Sequence, residues 1–378
     1  MVLQTMTNLI PDDITLAIPG NVGFFEVLIV VSFILHILFV NITIGSSVLA
    51  VGKEIQGMSK KDRKIDRIAQ QLADHTSIMK SIAVVLGIAP LLLISVIYTQ
   101  YFYSSTNLIG KAWLSLIALL ITAFLILYLY KFTWEKMRGG SKALHVLIGA
   151  AGSLILLFVP LIFIVNVVSM LYPTMWAGSE GFFHSLTYCP QIWQRYFHFI
   201  LASFATSGIY LYFYNRRAEK KIERLLKEGE TVENEAEKRE VHKMSKRLGI
   251  QTMFWTTALQ LVAGTALLMS FEKEVMMLYM GEDALLTGLL LGSILLTLVL
   301  LFFLYKLGKT DSKGNFNAVI ITFVIILVFM GWMRHELRES YLHDYIEANP
   351  RTTEKVLPVV ETEDDEEGLE VELEEDAE

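Results

Sequence analysis

Cysteine is almost absent from this sequence. Cys189 stands alone among 378 residues, so no internal disulfide framework can form, and with no CxxCH motif the usual covalent attachment of a c-type haem is excluded. Closely spaced histidines are missing too. No HxH or HxxxH occurs, the short spacings that zinc and copper sites favour. Charge is scarce, at 19% of residues against 53% hydrophobic. With a mean hydropathy of +0.48, these values exclude an ordinary soluble domain and indicate an integral membrane protein. The formal charge of −7 is a sum over unlike regions, and no nucleic-acid partner is expected from it. No Lys or Arg precedes the first apolar run and no short cleavable core is present, so the N-terminus does not read as a signal peptide.

What the sequence has is long uncharged stretches. Val27 to Val51 carries no formal charge and is long enough to cross the hydrocarbon as a helix. Breaks in charge mark apolar runs at 24–51, 78–103, 112–130, 145–170, 191–215, 248–271, 284–305 and 316–334. Backbone groups in lipid must be satisfied within each segment, so eight transmembrane helices are predicted. The segments after odd-numbered runs hold about twenty-four Lys and Arg against roughly seven on the other side, which places both termini outside. The expected fold is therefore all-α, as two adjacent four-helix bundles. Residues 1–23 form an outer segment, 24–170 the first bundle, 171–190 an outer connector, 191–335 the second bundle, and 336–378 an outer tail. Pro160 is expected to kink the fourth helix. The charged loop 216–247 reads as a solvated helical hairpin on the inner side. The acidic tail reads as disordered, with steering of a basic soluble protein as a secondary role.

Once the orientation is fixed, the histidines fall into layers. His36 lies about 14 Å into the first span from the outer side. His198 comes near the outer start of the fifth span and His335 at the outer end of the eighth. Two readings of a lone intramembrane imidazole are open: an interhelical hydrogen bond, or a functional partner in a cavity or at a metal. Imidazoles on facing helices of a bundle are a recurrent way to hold haem iron. His75 and His145, at the inner face, are secondary ligand candidates, because an imidazole there is also well hydrated.

Three segments carry a resemblance. LHILFVNITIG around His36, YFHFILASFATSG around His198 and Gly331-Trp332-Met333-Arg334-His335-Glu336 resemble, in order and in side, the haem-ligating segments of subunit I of the cytochrome bd quinol oxidases. The resemblance implies that His36 ligates a haem near the outer face, that His198 ligates a low-spin haem b, and that Glu336 is a third ligand with His335 its competitor. It also implies Trp332 as a cofactor contact and Arg338 as partner to a haem propionate, since a guanidinium matches carboxylate geometry. Two or three haem b groups follow. The departures are specific. Only Glu272 to Asp283 fills the gap where the family carries its long quinol loop. Leu289-Leu290-Leu291-Gly292 stands where the low-spin haem takes a methionine, leaving Met276, Met277 or Met280 as substitutes. The third span, AWLSLIALLITAFLILYLY, lacks the family's acidic residues.

The function expected is a haem-b-binding electron-transfer subunit of a prokaryotic cytoplasmic membrane. It would move electrons between the quinone pool and an outer-face redox partner, a cytochrome or an iron–sulfur protein, within a respiratory complex. The alternative is a divergent oxygen reductase taking electrons from quinol or a cytochrome, and a haem-free helical scaffold is the third.

Overall fold

Side-chain caps open the first two long helices. Asn21 accepts from the Phe24 amide at 3.1 Å and opens α1 (Val22–Lys60). Lys61, in left-handed conformation, and Asp62 turn the chain within three residues. Asp62 then caps α2 (Arg63–Ile97) by accepting from the Lys64 amide at 2.8 Å. The computed structural model describes Ile10 and residues 17–351; the acidic run after Val359 and most of the first sixteen residues lie outside the described residues. α3 (Gly110–Phe132), α4 (Lys142–Leu171), α5 (Ile192–Lys227), α6 (Glu235–Leu268), α7 (Ala284–Lys309) and α8 (Lys313–Ala348) complete the long elements. Short helices at Thr99–Leu108, Phe182–Tyr188 and Lys273–Met277 lie between them.

Each predicted apolar run falls mainly on one long helix, but the run 78–103 passes the end of α2 at Ile97 into the short helix Thr99–Leu108, and the run 248–271 passes the end of α6 at Leu268. Seven of these helices are long and apolar enough to cross a membrane. The other, α6, has an apolar half broken by Gln251, Thr252, Thr256, Thr257 and Gln260. Seven spans are thus supported by length and composition against eight expected. The expected boundary at 336 falls inside α8, which continues to Ala348 because Leu337, Tyr341, Leu342 and Tyr345 prolong its buried face at helical spacing. Likewise α5 runs on to Lys227 and α6 begins at Glu235, so the charged loop is largely helix.

Consecutive helices pair as antiparallel hairpins, α1 with α2, α3 with α4, α5 with α6 and α7 with α8. α1 packs in addition on α4, α5 and α8 and is the central element. Lipid gives no hydrophobic drive between helices, so close approach and interhelical polar contacts hold them together. At Gly45 a Cβ would collide with the Ser203 carbonyl of α5. Beside it Ser203 donates to Asn41 Oδ1 at 3.0 Å and Ser207 to the Ile42 carbonyl at 3.1 Å. Lys80, buried on α2, places its ammonium 3.5 Å from the Tyr128 ring centroid and 4.1 Å from that of Phe124, which compensates part of its desolvation.

The lysine- and arginine-rich loops gather at one end, here the basic end. There Asp311, between α7 and α8, accepts from Tyr212, Arg216 and Lys246, joining α5 and α6 to that loop. Burial alone raises the Asp311 carboxyl, but the hydrogen bonds from Lys246 and Tyr212 and the Arg216 charge outweigh it and hold it below the ordinary carboxylate range. A depressed carboxyl stabilises the fold above its unfolded pKa, and that contribution disappears as pH falls through the folded value. Thermal melting of the purified protein should therefore lose this contribution below about pH 4. In Asp311→Asn that part of the pH dependence should be flatter; an unaltered profile would show that the network does not titrate with Asp311.

Candidate functional site

His36 sits on the central helix and faces α2. Its Nδ1 lies 2.9 Å from the Ala83 carbonyl oxygen. A carbonyl can only accept, so Nδ1 carries the proton and the lone pair is left on Nε2. This is the tautomer a metal-ligating imidazole adopts when its second nitrogen is oriented by a backbone carbonyl. One turn along α2, a Cβ at Gly87 would stand 2.8 Å from His36 Cε1, so only glycine admits the ring there. The hydrogen-bonding role weighed from the sequence is present, and the other nitrogen remains available beside it.

Away from the basic end, along the same faces of α1 and α2, lies a small pocket of about 50 Å³. Val30 and Phe33 of α1, Pro90 and Ile94 of α2, and Arg334, His335 and Arg338 of α8 line it. His335 is 4% exposed and its Nδ1 has no hydrogen-bond partner; Arg338 is 6% exposed, with Nε and Nη1 equally without one. Arg334 lies over the Phe33 ring at 4.1 Å and Arg338 over Tyr98 at 4.7 Å. Arg195 comes in from α5, where Gln191 Oε1 accepts from its Nη2 at 2.6 Å. Gln191, buried in left-handed conformation, is itself fixed by donating to the Tyr172 and Tyr341 hydroxyls. The three guanidiniums are near enough to repel one another. Among the described residues none of them forms an ion pair.

Uncompensated like charges at this depth are costly. Planar bidentate donors of this kind match carboxylates, so the arrangement suits a ligand with more than one carboxylate that also offers a coordination position to nitrogen or oxygen. Glu336, half-buried on α8, faces the Trp332 side chain one turn back.

His198 occupies a second place. It stands on α5 opposite Gly264 of α6, where a Cβ would lie 3.7 Å from His198 Cε1, and its buried Nδ1 has no partner. An apolar groove formed by Trp193, Phe197, Ala263 and Ala266 opens beside it. Met276 and Met277 are on the short helix Lys273–Met277, and Met280 is 62% exposed.

The remaining candidates are at the basic end. His145, 2% exposed, has Nδ1 2.6 Å from Glu54 Oε1 and Nε2 2.7 Å from the Tyr130 carbonyl. Tyr130 also donates to the second oxygen of Glu54 at 2.7 Å. Both ring nitrogens are used within the protein, and none is left for iron. His75 lies edge-on to Tyr214 at 4.2 Å, its buried Nδ1 unpartnered. Sequence reasoning missed Arg195, Arg334 and Gln191. The available signal was the charge itself, since Arg195 stands three residues before His198 and Arg334 one before His335, at the ends of apolar runs.

A family model described as cytochrome bd terminal oxidase subunit I matches residues 27–278. This chain belongs to that family. The match includes His36 and His198 and ends before Gly331. The bd oxidase from Geobacillus thermodenitrificans has a similar solved structure, with a TM-score of 0.65 at 14% identity over 88% of this chain and 91% of that one. At that identity the likeness speaks for the fold. No curated protein sequence matches the chain. Subunit I proteins of the bd family bind haem, and the donor set found here fits that group: imidazoles with an unused nitrogen, and guanidiniums without counter-ions.

Proposed function

We propose that this bd-family chain is a haem-b-binding electron-transfer subunit of a prokaryotic cytoplasmic membrane, with both termini on the outer side and the chain divided into two four-helix bundles. In this reading His36, His198 and Glu336 offer the iron ligands for two or three haem b groups. Trp332 orients Glu336, while Arg338, with Arg334 and Arg195, neutralises propionates. Bound haem would supply one-electron transfer, at potentials governed by axial ligand, burial and nearby charge. The chain's own residues position it, exclude water and balance its charge. Electrons would pass between the quinone pool and an outer-face cytochrome or iron–sulfur protein, through other subunits of a respiratory complex.

One observation carries the proposal: two guanidiniums, Arg334 and Arg338, without a counter-ion among the described residues, at a pocket whose Phe33 stands one helical turn from His36. Cationic neighbours favour the reduced, less positive iron. Replacing Arg338 by leucine should therefore lower one haem midpoint potential by roughly 50–100 mV, read by spectroelectrochemical titration, and leave haem content unchanged. An unshifted potential would remove Arg338 from the site.

The family description favours a second reading, a divergent oxygen reductase. Carbon monoxide separates the two. Iron with two protein ligands leaves the gas no position, so electron transfer alone predicts a reduced spectrum unaltered by carbon monoxide. A carbon monoxide-induced shift establishes an open iron and supports the reductase.

A further inference from the structure

On the side of α8 that faces the start of α1, a second cluster of donors adjoins the arginine-lined pocket and shares His335 with it. Glu26 of α1 and His335 and Glu339 of α8 each present one ligand atom, and these atoms lie within 4.8 Å of one another. His335 and Glu339 are four residues apart and share one helix face. Two features mark this as more than neighbouring acids. The imidazole is 4% exposed with a ring nitrogen that bonds to nothing, a state that costs free energy unless a partner arrives. The carboxylates are already held: Tyr98, wholly buried, donates to Glu339 Oε1, and Arg351 bridges Glu339 at 2.8 Å and Glu26 at 3.2 Å. One guanidinium offsets only one of the two carboxylate charges.

We propose that Glu26, His335 and Glu339 form a binding site for a divalent first-row transition metal, with Arg351 as a monovalent place-holder that the ion displaces. Two carboxylate oxygens and one imidazole nitrogen are a donor set used by Zn²⁺, which tolerates three protein ligands and a water. The Tyr98 hydroxyl acts as the outer-shell donor that orients Glu339. A +2 ion neutralises the carboxylate pair fully. His335 then serves this ion, and Glu336, which does not line the arginine pocket, is left as the α8 iron ligand of the proposed function. The proposal does not depend on haem, because its readout is bound metal.

The test uses the full chain purified in detergent, stripped with EDTA, titrated with Zn²⁺ and desalted, with retained metal counted by mass spectrometry. One saturable Zn²⁺ per chain is expected. Glu26→Gln and Glu339→Gln should abolish it, and Tyr98→Phe should weaken it by about tenfold. Glu347→Gln, an exposed carboxylate on the same helix, should leave it unchanged. Arg351→Ala should tighten binding, because the competing cation is gone, and this gain cannot arise from a misfolded variant. Absence of saturable zinc in both the native and the Arg351→Ala protein overturns the proposal, as does saturable binding that survives Glu26→Gln and Glu339→Gln.

Discussion

Replacing His198 with alanine removes one low-spin haem b from the purified protein while the remaining haem and the inserted helices persist. The expectation follows from how little of the protein engages this imidazole. Its Nδ1 is buried without a partner, and the facing residue across the helix pair is Gly264, which supplies space and no donor. A ring held only for packing would leave a ring-sized cavity on truncation, with no hydrogen bond of Nδ1 broken. The α5–α6 pair is fixed elsewhere, where Gly208 and Gly249 cross so closely that a Cβ on Gly208 would lie 2.6 Å from the Gly249 carbonyl. Haem content and the reduced-minus-oxidised spectrum read the result. If both matched the native protein, His198 would be a packing residue and the α5 site would be lost from the account.

His36→Ala has an effect of the same size on a different haem. The Ala83 carbonyl already lies within the α2 helix, so losing the bond from His36 costs only about 1 kcal/mol, far less than is needed to unfold the chain. Truncation also leaves Gly87 facing an empty space where the ring stood. The variant should therefore insert and purify, with one haem missing and with the spectral features that His198→Ala removes still present. Retention of every haem would make the Ala83 hydrogen bond the whole purpose of His36.

The apolar runs made the helices legible, because in lipid each must satisfy its own backbone. Local sequence could not place their ends. Leu337 to Tyr345 prolong α8 through contacts with distant residues such as Tyr172 and Glu272, the charged half of α6 is held to α2 by Lys64–Glu240 and Arg67–Glu237, and that of α5 to α6 by Lys246–Glu219. The site was legible only in part for a similar reason. His36 and His198 stand out because an imidazole is rare in hydrocarbon. His145 was a secondary candidate at the inner face, and there Glu54, 91 residues away, and Tyr130 take both its nitrogens. A one-dimensional reading has no access to that pairing. Nor does it reveal that Arg195 of α5 approaches Arg334 and Arg338 of α8, since only the fold brings them together.

Whether this chain holds haem at all is decided by a pyridine haemochrome assay on the purified protein. Two or three moles of b-type haem per mole of chain is the predicted result. Protein that is folded, inserted and free of any haemochrome absorbance, even when expressed with ample haem, would contradict it and leave the histidines as interhelical hydrogen-bonding groups.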